Sequence, residues 1–148
     1  MRAKALDFEC ARSVIILHMK TQDDRFTIRE AAAELGLSDH TLRYYERIGL
    51  IHPIDRGANK HRRYTRDDIG WIEFLSKLRS TGMPIREMLA YTELTRQGDE
   101  TLPQRLEILR THQKRVAKRL AEYQEHMELI NYKVAYYQNM CDEMEKLG

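Results

Sequence analysis

The sequence predicts a mostly α fold: a winged helix-turn-helix DNA-binding domain followed by one long dimerisation helix, paired as an antiparallel coiled coil. Three observations carry this expectation. Between Phe26 and Tyr64 two short helical patterns meet at a glycine turn and run into a basic loop. From Leu102 to Met144 apolar residues recur at alternating spacings of four and three. The charge of that last stretch changes sign halfway along.

Composition sets the bounds. A chain of 148 residues holds a compact domain with an extension. With 42% hydrophobic and 32% charged residues it has no apolar run long enough for a membrane span. The net charge of +2 is uninformative by itself, but its distribution is not. Residues 25–64 carry 8 Lys and Arg against 5 Asp and Glu, whereas residues 65–100 carry 5 against 7. Cys10 and Cys141 are far apart and form no CxxC, which argues against a disulfide framework or zinc module and for a reducing cytoplasm. Ser13–Met19 is apolar but too short, and lacks the small-residue cleavage site of a signal peptide. Residues 1–24 are expected to form a loosely attached arm, unless translation starts at Met19.

The first helix opens with a capping box, Thr27-x-x-Glu30, followed by Ile28, Ala31, Ala32 and Leu35 at helical spacing. Gly36 breaks it, and Ser38 is a good N-cap for a second helix that carries Thr41, Leu42, Arg43, Tyr44 and Tyr45. Gly49 can take the left-handed conformation that ends a helix. Two short helices about such a turn make a helix-turn-helix, although small helical hairpins unrelated to DNA share the pattern. The loop that follows tips the balance. Arg56, Lys60, His61, Arg62, Arg63 and Tyr64 fall within nine residues, a density of long cations suited to phosphate contacts.

A second capping box, Thr65-x-x-Asp68, starts a helix through about Ser80, whose Trp71 and Phe74 read as core. Gly82 closes it, and Pro84 opens another helix with Ile85, Met88, Leu89 and Thr92 on one face. Thr101-x-x-Gln104 is expected to cap the last helix. Its seam reads Leu102, Leu106, Leu109, Gln113, Val116, Leu120, Tyr123, Met127, Ile130, Val134, Tyr137, Cys141 and Met144. A rod of this kind cannot bury its seam alone, so it requires a partner. Residues 105–119 hold six cations and a single Glu107, while residues 122–145 hold six acids and a single Lys133. Parallel strands would set like charges side by side; antiparallel strands pair the basic half with the acidic one. An antiparallel homodimer is expected.

With these residues in place, the chain resembles the MerR family of bacterial transcription regulators over about residues 26–147. Phe26–Leu50 (FTIREAAAELGLSDHTLRYYERIGL) is similar to that family's opening helix-turn-helix, with its Leu-Arg-Tyr-Tyr-Glu and Gly-Leu signatures. Arg56, Arg62 and Tyr64 stand where the family wing has Arg and Arg-x-Tyr, and Asp68–Arg86 resembles the helix and Thr-Gly-Met turn leading to the hinge. The resemblance implies a homodimer that binds a pseudo-palindromic operator within a double-stranded promoter of overlong spacer. It further implies that the dimer bends and untwists this DNA for RNA polymerase when a small effector arrives. By position, Thr41 and Arg43 would enter the major groove and Tyr44 would meet a phosphate. Thr27 and Ser38 at helix N-termini, and Arg56, Lys60, His61, Arg62 and Tyr64 in the wing, would complete the DNA-binding set. Tyr45 is assigned to the core.

Where many members have glycine at the wing tip this chain has Lys60, leaving Gly57 and Asn59 to supply the turn. The start of the last helix, Gln97–Pro103, has no Cys or His, so no metal and no cofactor are expected. The chain ends with its coil, which is similar to the short subgroup of aldehyde- and electrophile-responsive regulators. Lys77 stands where thiol-sensing members carry Cys, leaving Cys141 as the redox-sensor candidate against a simpler role as a small seam residue. The domain division expected is an arm over 1–24, the DNA-binding domain over 25–80, a linker or hinge helix over 81–100 and the dimerisation helix over 101–148. Leu106, Leu109, Val116, Leu120, Tyr123, Met127, Ile130, Val134 and Tyr137 are the expected dimer contacts. No nucleophile–base pair or phosphate loop suggests an enzyme. A nucleoid-associated bacterial regulator is the reading, with an architectural winged-helix protein lacking effector response as the alternative.

Overall fold

The structure is a computed structural model that describes residues 25–148. The expectations for the arm and for Cys10 lie outside those residues. The described chain divides into a first unit ending at Thr101 and a second from Leu102 to Gly148.

In the first unit, α1 is Ile28–Leu35, α2 Asp39–Arg47, α3 Arg66–Ser80 and α4 Ile85–Gln97, and a 3₁₀ turn occupies Asp99–Thr101. Local chemistry explains the boundaries. Thr27 caps α1 through a reciprocal capping box with Glu30, and Gly36 leaves it at φ 64°. Ser38 caps α2 by accepting from the Thr41 amide at 3.1 Å. Thr65 and Asp68 form the second capping box at α3. Pro84 is the N-cap of α4 and stands one residue outside the helix it was expected to begin. These boxes satisfy amides that a helix start leaves without partners.

Packing of α1 on α2 and on α3, and of α3 on α4, encloses the core. Ala31 and Leu42 are fully buried in the helix-turn-helix, and Leu50, Ile51, Ile54, Ile72, Leu75, Met83 and Met88 are buried as well. Each large aliphatic buried in this way contributes roughly 1.5–3 kcal/mol of transfer free energy. Trp71 and Phe74 are half-buried rather than enclosed, and they form a three-ring cluster with Tyr91.

The wing is held by two antiparallel bridges, Phe26–Tyr64 and Arg56–Arg62, with no longer strand among the described residues. Phe26 and Tyr64 exchange both backbone hydrogen bonds at 2.8 Å. The tip is a tight loop in which the Lys60 amide donates to the Gly57 carbonyl at 2.8 Å and the Gly57 amide to the His61 carbonyl at 3.0 Å. Lys60 itself adopts φ 61°, the left-handed position that such three-residue loops usually give to glycine. The turn expected from Gly57 and Asn59 therefore has its strained residue at Lys60. Asn59 assists by accepting from the His61 amide through Oδ1.

The second unit is one helix, α5, Leu102–Leu147, whose 46 residues make it roughly 69 Å long. Thr101 stands immediately before this helix, as expected of its cap. Its hydroxyl donates backward, to the carbonyls of Leu94 at 2.6 Å and Gly98 at 2.7 Å, and so fastens the 3₁₀ turn to the end of α4.

Candidate nucleic-acid interface

Successive residues of a helix are set about 100° apart, so α2 sorts its side chains by position. Leu42 and Tyr45 fall inward and are buried, as assigned for Tyr45, while Arg43 and Tyr44 fall outward. Tyr44 is 39% exposed, and the Arg47 guanidinium lies 5.5 Å from its ring centroid, a cation–π contact that steadies both. Thr41 lies at the edge of the exposed face, its hydroxyl 2.9 Å from that of Ser38. Thr27 and Ser38 are both engaged as caps, and the helix N-termini that they cap carry the positive end of the helix dipole. The hydrogen bonds from Thr27 draw the Glu30 carboxyl below the usual range.

On the wing, Arg56, Lys60 and His61 are exposed cations or potential cations. Arg62 is placed differently from its expected role as a free phosphate contact. Its Nε donates to Glu46 Oε2 at 2.5 Å, with only 24% and 14% of the two side chains exposed. The other carboxylate oxygen of Glu46 accepts from the Ile54 amide at 3.3 Å. One acid on α2 therefore holds both the entry and the return of the wing.

Tyr64 requires a correction. It is fully buried, between the Phe26 bridge and the core, so its side chain is not presented to DNA. Its hydroxyl makes no hydrogen bond among the described residues, and burial pushes its pKa up to about 12. Two arginines that sequence reasoning left out come into view instead. Arg25 and Arg63 line a shallow hollow of about 350 Å³ with Asp55, Arg56 and Gly57, and Arg25 stands 3.8 Å from the Asp55 carboxylate. The clustering of arginine around the wing was visible in the sequence; the Phe26–Tyr64 bridge that brings Arg25 to it was not.

At the foot of the wing His52 Nε2 lies 2.7 Å from Asp68 Oδ1, and its Nδ1 lies 2.9 Å from the Pro53 carbonyl. The bond to that carbonyl and the neighbouring carboxylate hold the imidazole above the usual histidine range. At the other end of the reader, Arg96 of α4 donates to the Gly49 carbonyl at 2.7 Å. On α5 the expected dimer contacts Leu106, Leu120, Tyr123, Met127, Ile130, Val134 and Tyr137 are all exposed in the single chain, while Leu109 and Val116 are half-buried. Cys141 is a free, exposed thiol on the same helix. No group of three or more metal-ligating side chains occurs among the described residues.

The geometry is that of a binding surface: an exposed polar helix face beside a basic loop. Comparison with known proteins agrees. The profile of the MerR HTH family of regulatory proteins matches residues 26–92. An uncharacterized HTH-type transcriptional regulator of Haemophilus influenzae is 34% identical over 113 residues, covering 76% of this chain and 84% of that protein. The HTH-type transcriptional regulator AdhR of Bacillus subtilis is 42% identical over 89 residues, which span 60% of this chain and 64% of AdhR, under two thirds of its length. Among solved structures, the chain is similar to HiNmlR, a MerR family regulator lacking the sensor domain and bound to promoter DNA. The TM-score is 0.71 at 34% identity, over 78% of this chain and 92% of that one. The relatives are transcriptional regulators rather than enzymes. With its helix-turn-helix, its basic wing and these relatives, the chain belongs to the MerR family of helix-turn-helix transcriptional regulators.

Proposed function

We propose that the protein is a homodimeric regulator that binds a pseudo-palindromic promoter operator and distorts its overlong spacer for RNA polymerase in response to a small effector. The observation that carries this reading is the outward face of α2, Arg43 and Tyr44, beside a basic wing held by the Glu46–Arg62 pair. Arg43 and Thr41 read the major groove, Tyr44 and the turns capped by Thr27 and Ser38 meet phosphates, and Arg56, Lys60 and His61 hold the flanking backbone. The apolar seam of α5 and its change of charge sign support antiparallel pairing of two copies in a bacterial cytoplasm, on nucleoid DNA. Binding to a fluorescent operator fragment tests the DNA reading. Arg43→Ala is expected to lose sequence preference, costing about 1–3 kcal/mol, and Lys60→Ala to weaken all sequences and lower the salt slope by about one. Unchanged binding in both variants would remove the assignment.

For the effector, the proposal is an aldehyde or related electrophile. Run-off transcription from the divergent promoter beside its own gene, with formaldehyde, methylglyoxal or a quinone added, examines it. Induction lost in a Cys141→Ser variant makes the thiol the sensor; induction retained assigns sensing elsewhere. Silence with every compound favours a second reading, an architectural DNA-binding protein without effector response. That reading is favoured by the similarity to a regulator described as lacking the sensor domain.

A further inference from the structure

The wing leaves the core after Ile51 and returns to it at Tyr64, both of them buried. Two side-chain contacts fasten those ends. One is the Glu46–Arg62 pair; the other joins His52, on the way out, to Asp68 in the first turn of α3. His52 Nε2 lies 2.7 Å from Asp68 Oδ1, and Nδ1 lies 2.9 Å from the carbonyl oxygen of Pro53. Asp68 is held on its own side as well. Its Oδ2 accepts from the Thr65 amide at 2.7 Å, and its amide donates to Thr65 Oγ1 at 3.1 Å. The Asp68 side chain is 8% exposed, whereas that of His52 is 59% exposed and open to protons from solvent.

The partners of the ring set the protonation state that suits it. A carboxylate and a backbone carbonyl only accept hydrogen bonds, so each ring nitrogen faces an acceptor. The imidazolium carries two N–H groups and satisfies both; the neutral ring carries one. With that proton on Nε2, the lone pair of Nδ1 points at the Pro53 carbonyl. With it on Nδ1, the lone pair of Nε2 points at the buried carboxylate. Either tautomer turns one attraction into a repulsion. The charged groups facing the ring are Asp68 from α3 and Asp55 from the outgoing arm of the wing, and Arg25 stands 3.8 Å from Asp55. The Pro53 carbonyl, then these two acids, hold the imidazole above the usual histidine range against the burial that lowers it.

We propose that His52 is a proton-operated latch of the wing: the doubly protonated ring fastens the outgoing arm to α3, and in that state the protein binds DNA more tightly. The ligand of this site is the proton, and the proposal rests on the DNA-binding reading given above. Only a wing in place brings Arg56, Lys60 and His61 to the DNA backbone, so the apparent affinity falls with the fraction of latched molecules. By the same linkage, bound DNA favours proton uptake at His52. The latch is complete below about pH 6.5 and is lost as pH rises through the raised value. With so much of the ring in water, the effect on affinity is about two- to fivefold.

The test is equilibrium binding of the full-length protein to a fluorescent duplex of the promoter beside its own gene, at pH 6 and pH 9 and one ionic strength. His52→Gln removes the titrating ring and leaves every other histidine in place, so their effects cancel in the comparison. Wild-type affinity should fall between the two pH values by about two- to fivefold more than that of His52→Gln. Asp68→Asn keeps an oxygen for the Thr65 amide but removes the carboxylate, and its pH dependence should match that of His52→Gln. Parallel curves for wild type and His52→Gln overturn the latch and leave the DNA reading standing. A full wild-type pH dependence kept in Asp68→Asn does the same, because a DNA phosphate near the ring, rather than Asp68, would then be its partner. A duplex bound by none of the three proteins at either pH overturns the DNA reading and the latch together.

Discussion

The Glu46–Arg62 pair offers the sharpest test of how the wing is held. Its two groups approach to 2.5 Å, and their side chains are 14% and 24% exposed, so water screens them little. At about 4 Å between charge centres and an effective dielectric near 20, the gross attraction is roughly 4 kcal/mol. Desolvation of both ions takes back a large part of that, so the pair's net worth against two apolar residues is small. Removing one partner is a different matter, because Glu46→Ala leaves a mostly buried guanidinium unpaired and the Ile54 amide without its acceptor. The expected cost is about 2–3 kcal/mol, below the 3–5 kcal/mol of a fully buried pair. For a domain of this size that lowers Tm by roughly 8–20 °C. Glu46→Gln keeps the shape and an acceptor, and should cost about half as much. Circular dichroism melts of Glu46→Ala, Arg62→Ala and the double variant form the cycle. A coupling of about 1–2 kcal/mol is expected. Additive losses, with coupling under about 0.5 kcal/mol, would refute the clamp and return Arg62 to the role of a free phosphate contact.

Further expectations follow from single side chains. Tyr64→Phe removes a buried hydroxyl that has no hydrogen bond among the described residues, so stability should hold or rise by about 1 kcal/mol in urea titration, with DNA affinity unchanged. A clear loss of affinity would place that hydroxyl on DNA after all. Lys60→Gly relieves a left-handed lysine and should stabilise the wing by about 1 kcal/mol while lowering the salt slope of DNA binding, and a destabilised variant would contradict the loop geometry. His52 is held above its usual pKa by the Pro53 carbonyl and Asp68, so its contribution is complete below about pH 6.5 and fades as pH rises through the raised folded value. With 59% of the side chain exposed, the effect should stay under about 1 kcal/mol. Wild type should therefore lose stability relative to His52→Gln on going from pH 6 to pH 9, and parallel curves would count against the Asp68 contact.

What was legible in the sequence was local. Thr27 with Glu30, Thr65 with Asp68, and Ser38 act within one turn, so spacing alone identified their helices and their starts. The long α5 helix was readable for the same reason, since its apolar period is a property of one helix. What escaped depends on partners distant in sequence. Glu46 meets Arg62 across 16 residues, and the burial of Tyr64 depends on Phe26, 38 positions earlier in the chain. Lys60 is a different case: it stands where many MerR members have glycine, yet the turn was expected from Gly57 and Asn59, and the lysine keeps the left-handed conformation itself. Thr101 carried the letters of a cap, yet two carbonyls behind it were better placed to receive its proton.

The bond from Arg96 to the Gly49 carbonyl joins residues 47 positions apart. It joins the final turn of α4 to the turn that ends the recognition helix, bypassing the wing and α3. In hydrogen-exchange terms, fraying of α4 takes the donor away from the Gly49 carbonyl, so the amides of Gly49 and Leu50 should open together with the end of α4 rather than with the wing beside them. The two ends of the reader are thereby one cooperative unit. Along the chain the same two turns are joined only through the wing and α3, so one side chain forms the short connection between the end of α4 and the end of α2.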